Sequence, residues 1–259
     1  VPGSTGSLSA NKNIVVDGSV PTVTNVTSTN VDGIYIVSDT LVIGVTFSDV
    51  INVTGVPQLS LEVGNANGVA EYVSGTGSAL LNFQYVVATG HVSSDLDYDS
   101  TASLILNNGT INDQSGNRAV LTLPDPGSSG SLAAAKAFQV DGIVPIIDSV
   151  STYAVNGIYS TGDTMDISVS FSEIVNVTGV PQLSLETGGT DVLVNYRSGS
   201  GSSTLMFKYM VGQGNTSNDL DYTDTTALTL NGGSIRDISG NNATLILIPP
   251  GSAGSLSAN

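Results

Sequence analysis

The chain repeats itself at a fixed interval of 124 residues. Pro2, Pro126 and Pro250 open the phrases "PGSTGSLSA", "PGSSGSLAA" and "PGSAGSLSA". The same interval aligns "INVTGVPQLSLE" (51–62) with "VNVTGVPQLSLE" (175–186) without a gap, and about half of all aligned positions are identical. Self-similarity at a fixed period indicates a duplicated structural unit. We therefore expect two equivalent domains.

Inside one unit the apolar residues recur with a period of two. Met165, Ile167, Val169 and Phe171 alternate with polar residues. The stretch "TLMFKYMV" (204–211) alternates in the same way. Such alternation predicts half-buried β-strands. Further strands are predicted over 181–186, 192–197, 227–230 and 243–247, separated by Gly-rich and Asn-rich turns such as "NGGS" and "SGNN".

Many short strands with frequent turn signals predict an all-β fold. We expect two tandem immunoglobulin-like antiparallel β-sandwich domains of a 124-residue repeat. A closed barrel is the alternative. The chain contains no Cys and no Trp, so the hallmarks of antibody domains are missing and the prediction depends on the strand pattern.

The phrase at the start of the chain belongs to the end of a repeat. Within "PGSSGSLAAAKAFQVDG" (126–142), Phe138 and Val140 are predicted to form a final strand. Its counterpart is Ile14, Val15, Val16 and Asp17 in "NKNIVVDG". We therefore divide the chain into three parts: 1–18, the final strand of a preceding or neighbouring repeat; 19–142, the first repeat; and 143–259, the second repeat without its own final strand.

A sandwich without its final strand exposes an apolar groove and unpaired backbone groups. Two interpretations are open. Either the chain is a window of a longer covalent array, or residues 1–18 of one copy complete residues 143–259 of the next by strand addition. The second interpretation predicts a head-to-tail filament, joined by the strand from Ile14 to Asp17.

Charge and composition limit the partners. With 22 acidic and 6 basic residues the formal net charge is −16, which disfavours nucleic acid and anionic membranes. The acids either bind a hard cation such as Ca²⁺ or keep the surface soluble. No disulfide or thiolate site can form without Cys. No apolar run is long enough to span a bilayer, so we expect no membrane insertion.

Longer motifs carry a resemblance to a known class. The run "DTMDISVSFSEIVNVTGVPQLSLETG" (163–188), followed by "DLDY" and "LTLNGGSIRDISGNNATL", resembles tandem immunoglobulin-like or cadherin-like repeats of very large bacterial surface and secreted proteins. The resemblance covers both units. It implies spacer or adhesive modules at the cell surface or outside the cell, with adjacent repeats as partners and Ca²⁺ bound in some relatives.

Paired acids in "DLDY" form one candidate metal site. Asp95 and Asp97 recur as Asp219 and Asp221. In an extended segment, alternation places both carboxylates on one side. This spacing suits calcium, but it equally suits a solvated edge strand whose charges discourage sheet-to-sheet pairing.

The junction between units is the other candidate site. Asp17 and Asp141 stand in "VDGSVP" and "VDGIVP", and the resemblance to cadherin-like arrays implies calcium there, helped by a loop acid such as Asp49 or Glu173. A plain turn is the alternative interpretation.

A second turn is explained without a ligand. In "NDQSGN" (112–117) and "RDISGN" (236–241), we expect Asp113 and Asp237 to accept backbone N–H groups in Asx-turns.

Catalysis is disfavoured by the repeat itself. His91 is the single histidine, and Asn215 takes its place in the second unit, so no Ser-His-Asp triad or zinc site can be duplicated with the unit. We predict a non-enzymatic extracellular structural or adhesive protein of a surface filament, sheath or adhesin stalk. The alternative is a carbohydrate-binding or ligand-binding module that recognises a glycan or cell-surface receptor through an exposed aromatic residue such as Tyr153.

Overall fold

A computed structural model of the chain describes residues 1–64 and 68–258. Strands dominate it, and the described helical residues are limited to two four-residue α-helices and one short 3₁₀ turn. The chain divides into two compact units. The first unit comprises Val1–Val87 and His91–Val140, and the second comprises Ala88–Gly90 and Asp141–Asn259. The predicted all-β class is confirmed.

The first unit begins with a short helix and continues almost entirely in strands. Its elements are α1 (Leu8–Asn11), β1 (Val23–Ser28), β2 (Gly33–Ile36), β3 (Thr40–Thr54), β4 (Gln58–Leu61), β5 (Gly68–Ser74), β6 (Ser78–Val86), β7 (Val92–Ser93), β8 (Leu104–Ile105), β9 (Thr110–Asp113), α2 (Leu132–Ala135) and β10 (Phe138–Asp141).

The second unit repeats most of this order. Its elements are β11 (Ile147–Thr152), β12 (Thr164–Thr178), β13 (Gln182–Leu185), β14 (Val192–Ser198), β15 (Ser202–Met210), β16 (Leu228–Thr229), β17 (Ser234–Arg236) and the 3₁₀ turn Leu256–Ala258.

Each unit contains a curled seven-stranded antiparallel sheet. In the first unit the order is β1-β3-β6-β5-β4-β8, and β9 also pairs with β3. The long strand β3 pairs with β6 over Thr40–Thr46, the register then shifts, and the stretch from Ile51 to Thr54 pairs with β9. Such an irregularity bends a strand, so one strand serves two parts of the sheet. The second unit has the same order, β11-β12-β15-β14-β13-β16, with β17 on β12.

The first unit has an additional three-stranded sheet of order β2-β10-β7. The predicted final strand with Phe138 and Val140 is therefore confirmed as β10. The corresponding residues of the second unit, 157–160 and 216–217, form no strand. The two units thus differ at one edge, and the difference coincides with β10.

Alternation along the strands fills the cores. Ile167, Val169 and Phe171 of β12 are at most 3% exposed, as are Leu205 and Phe207 of β15. The predicted period-two strands are confirmed here, because every second residue faces the core.

One predicted strand is wrong for this structure. Residues 243–247 contain a single isolated bridge, at Thr244, because their amides bond in turn to three different segments: Ala243 N to Ile235 O, Thr244 N to Pro145 O and Leu247 N to Thr225 O. The segment 14–17 forms no strand with the described residues of its own chain, and its pairing with a preceding or neighbouring repeat stays a prediction. Ile14, Val15 and Val16 are 61%, 82% and 88% exposed.

None of the helices in the described ranges is long and apolar enough to cross a membrane.

We predict that Gly233 is required for full stability, because its turn passes close to the end of strand β12. A Cβ at this position would lie 2.1 Å from the Thr178 carbonyl oxygen, so the backbone must shift. Gly233→Ala should lower the free energy of unfolding by roughly 1–3 kcal/mol, the usual cost of overpacking. The matched control is Gly189→Ala, because a Cβ there meets nothing within 4 Å. Urea unfolding of both variants measures the difference, and equal stability would contradict the assigned contact.

Candidate functional site

Strand β10 closes the edge of the first unit. Gly33 N donates to Ala137 O at 3.2 Å, and Leu96 N donates to Phe138 O at 2.8 Å. Phe138 is fully buried, and its ring packs edge-on against Tyr35 with centroids 5.4 Å apart. Val140 is buried as well, whereas Gln139 between them is exposed. The strand therefore packs one apolar face on the core and hydrogen-bonds to a neighbour on each side of its backbone.

The "DLDY" motif fastens the chain just before this strand. Asp97 Oδ2 accepts a hydrogen bond from Gly127 N at 3.0 Å, and Tyr98 OH donates to Pro124 O at 2.6 Å. Burial and the nearby Asp97 charge raise the pKa of Tyr98, so its hydroxyl stays protonated and donates. We call this arrangement the clasp.

The second unit has the same clasp. Asp221 Oδ2 accepts from Gly251 N at 3.0 Å and from the Ser257 hydroxyl at 2.7 Å, while Tyr222 OH donates to Ile248 O. Burial alone would raise the pKa of Asp221, but the hydrogen bonds outweigh it and the pKa is lowered. Burial and the Asp221 charge raise the pKa of Tyr222 to about 12.

The structure does not bring the paired acids of "DLDY" to one side of a strand. Asp95 and Asp219 are exposed, whereas Asp97 and Asp221 are each 7% exposed. The segments bend at residues 94–95 and 218–219, so the alternation of an extended chain does not apply. The buried acid of each pair is occupied by the clasp. The predicted placement of both carboxylates on one side is therefore wrong.

The junction aspartates Asp17 and Asp141 close turns. Asp17 Oδ2 accepts from the Ser115 hydroxyl at 2.6 Å, and Asn117 Nδ2 donates to Asp17 O at 3.3 Å. The Ser115 bond lowers the pKa of Asp17. In the second unit Ser239 OH donates to Asp141 Oδ2, and Asn241 Nδ2 donates to Asp141 O at 3.0 Å.

Beside these junction residues, Asp113 and Asp237 accept backbone N–H groups as predicted, but from three or four residues further on rather than from two as in an Asx-turn. Asp113 Oδ1 accepts from Asn117 N at 2.8 Å, and Asp237 Oδ1 accepts from Asn241 N at 2.8 Å. Both aspartates are 4% exposed. Their turns hold the asparagine amides that reach Asp17 and Asp141.

The two loop acids behave differently. Asp49 is exposed and accepts from the neighbouring Val50 N at 2.6 Å. Its counterpart Glu173 is half-buried, and its buried Oε1 accepts no hydrogen bond from the described residues. Burial raises the pKa of Glu173, and the charges of Asp237 and Asp141 raise it further.

A cation at this junction would need several free oxygens. Within 1–64 and 68–258 no group of three or more His, Asp or Glu side chains is arranged to hold a metal ion. Glu173 Oε1 has no hydrogen bond to any described residue and could coordinate a cation. Asp141 and Asp237, in contrast, already accept hydrogen bonds from Ser239 and Asn241. A cation here would therefore have to replace some of those bonds. Calcium at the junction stays a prediction.

Sequence reasoning missed the clasp. Its bonds join residues about 26–30 positions apart, a distance that strand periodicity does not reveal. The signal in the sequence was that "DLDY" and the "PGS" phrase recur together at the same interval.

Comparisons of the chain with protein-family models, curated proteins and solved structures found no match.

We predict that Glu173 destabilises the second unit at neutral pH when no cation is present. Its folded pKa lies above the unfolded value, so stability is lost as pH rises through that window. Glu173→Gln should raise the melting temperature at pH 7 by roughly 2–4 °C, corresponding to about 1 kcal/mol or less. The gain should disappear near pH 3, where both side chains are neutral.

Asp49→Asn is the matched control and should change the melting temperature little. Millimolar calcium should raise the melting temperature of the parent chain but not that of Glu173→Gln, because ligand binding stabilises the native state. No response of the parent chain to calcium would remove the junction metal site. A lower melting temperature of Glu173→Gln without calcium would contradict the electrostatic argument.

Proposed function

We propose that the chain is a non-enzymatic structural module of an extracellular repeat protein, part of a surface filament, sheath or adhesin stalk. In this proposal each unit is an immunoglobulin-like β-sandwich and an equivalent building block. The curled sheets with one strand order in both units support it. The acidic, cysteine-free composition and the resemblance of the repeat to bacterial surface modules favour a location at the cell surface.

One observation carries the proposal: the segment that completes a unit also leads into the next repeat. Phe138 and Val140 belong to the core of the first unit, and Asp141 directly after them bonds to Ser239 and Asn241 of the second. In such a chain, the strand that completes the core of one unit runs directly into the first residues of the next unit. This construction suits a linear array of spacers.

The distinctive polar side chains already have structural partners. His91 Nδ1 bonds to Tyr85 OH at 2.8 Å, and in the second unit Asn215 Oδ1 accepts from Tyr209 OH at 3.1 Å. Histidine and asparagine thus serve the same structural contact. A catalytic role for His91 would have no counterpart in the second unit.

We predict that the chain resists force as two separate modules. Single-molecule stretching should give two unfolding events, each releasing roughly 400 Å for about 120 residues. Phe138→Ala removes a fully buried ring and should destabilise the first module by about 3–5 kcal/mol, so one event moves to lower force.

Gln139→Ala is the matched control, since this residue lies on the exposed face of the same strand. A single unfolding event, or equal effects of the two substitutions, would overturn the modular proposal. Turnover in a broad hydrolase screen that maps to one residue cluster would overturn the non-enzymatic part.

A second candidate function is glycan binding, and the exposure of Tyr153 favours it. This ring is 82% exposed, and Thr152 and Ala154 on either side of it line a groove of the second unit. Aromatic rings exposed beside clefts can stack on apolar faces of ligands. If this function holds, glycan-array binding should be lost in Tyr153→Ala and kept in Tyr153→Phe. No binding by the parent chain would eliminate the candidate.

A further inference from the structure

The second unit contains an open groove at the edge where the first unit has β10. Its volume is about 710 Å³, within the usual range of ligand clefts. The lining comes from Thr152 and 154–159, from Tyr209, Val211 and 215–220, and from Leu256–Ala258, together with Met165 and Thr187. We call it the acceptor groove.

Apolar residues in the acceptor groove lack the cover that their counterparts have. In the first unit Leu41, Val87 and Leu96 are at most 1% exposed. The equivalent residues of the second unit, at the interval of 124, are Met165, Val211 and Leu220, and all three are only half-buried. The groove is therefore a core edge rather than an ordinary surface cleft.

We propose that the acceptor groove binds residues 12–17 of a second copy of this chain. This inference rests on the proposed function, because it supplies the contact by which copies join head to tail. Residues 12–17 are the repeat equivalents of 136–141, the segment that occupies the corresponding edge of the first unit. The first unit thus displays the bound state of an equivalent segment, which is identical to 12–17 at three of six positions.

The register follows from this equivalence. Ile14 takes the position of Phe138 and packs against Tyr159, the counterpart of Tyr35. Val16 takes the position of the buried Val140. Val15 takes the position of Gln139 and faces solvent.

The backbone contacts follow in the same way. In the first unit the amides of Gly33 and Leu96 donate to carbonyls of 137–138, and Ala137 N donates to Asp32 Oδ1 at 3.1 Å. At the equivalent places the acceptor groove offers the amides of Gly157 and Leu220. The side-chain oxygen of Asn156 replaces that of Asp32.

The donor segment is already accessible in its own chain. Ile14, Val15 and Val16 are 61–88% exposed, so no core has to open before binding. Asp17 at the end of the segment is held by Ser115 and Asn117 of its own first unit. The donor is therefore anchored at one end and exposed over the residues that bind.

The acceptor also determines where the donor begins. Residues 1–11 are equivalent to 249–259, and the second unit already holds its own copy of that phrase through Gly251 and the buried Leu256. Residues 1–11 of a donor chain cannot bind at the equivalent place, because residues of the second unit itself already occupy it. The new contacts therefore start at residue 12.

The experiment is sedimentation of the full chain over a wide concentration range, in 0.15 M and 0.5 M salt. The net charge of −16 makes copies repel, and the higher salt screens that repulsion. The mean mass should rise with concentration beyond that of a dimer, and more steeply at high salt. Ile14→Asp and Val16→Asp should weaken association at least tenfold.

The matched control is Val15→Asp, which adds the same charge to the same exposed segment but faces solvent in the proposed register. It should associate nearly as well as the parent chain. Equal weakening by all three substitutions would show a charge effect and overturn the register. A mass that stays monomeric, or is unchanged by Ile14→Asp, would overturn the inference.

A second measurement tests the acceptor directly. A fluorescent peptide of residues 12–18 should bind the full chain and should not bind a chain extended after Asn259 by "KAFQVDG", which fills the groove from its own end. The extended chain should also remain monomeric. Binding of the peptide to both chains would place the contact elsewhere and overturn the inference. The force experiment with Phe138→Ala is independent, so the spacer function can stand if peptide binding fails.

Discussion

Closure of one sheet edge determines whether the small three-stranded sheet beside the main sheet forms. Strand β10 supplies backbone partners to both β2 and β7, and its Phe138 covers the core. Strands β2 and β7 are four and two residues long, too short to be stable without a neighbour. In the second unit the near-identical "GIYS" segment (157–160) forms no strand. The local sequence is therefore insufficient, and the closing strand organises its neighbours.

The clasp explains how this closing region is held in place without a disulfide. Asp97 and Tyr98 bind the backbone of the phrase that precedes β10, and Asp221 and Tyr222 do the same in the second unit. Bonds from charged groups to backbone amides are stronger than neutral ones. The "PGS" phrase is consequently ordered in the second unit, where it ends in the 3₁₀ turn Leu256–Ala258, although no β10 equivalent follows in the described chain.

Sequence patterns predicted the strands wherever a strand lies between core and solvent. The alternation from Met165 to Phe171 succeeded because every second residue faces the core. It failed at 243–247, where successive amides bond to different segments, and at "DLDY", where the chain bends at residues 94–95. Contacts such as that of Tyr98 with Pro124 depend on how distant loops meet. Periodicity carries no information on that, and only the joint recurrence of two motifs indicated it.

The acidity of the chain has a cause that requires no cation. Six aspartates each accept a backbone N–H in or near a turn: Asp17, Asp97, Asp113, Asp141, Asp221 and Asp237. An aspartate that accepts such bonds stabilises a turn in a chain without disulfides, so the number of acids is in itself no argument for a metal. Glu173 does not fit this explanation, because its buried Oε1 accepts nothing among the described residues and its charge faces those of Asp141 and Asp237. In the first unit the shorter Asp49 stays in solvent. The repulsion of Glu173 by Asp141 and Asp237 therefore arises from one added methylene and is specific to the second unit.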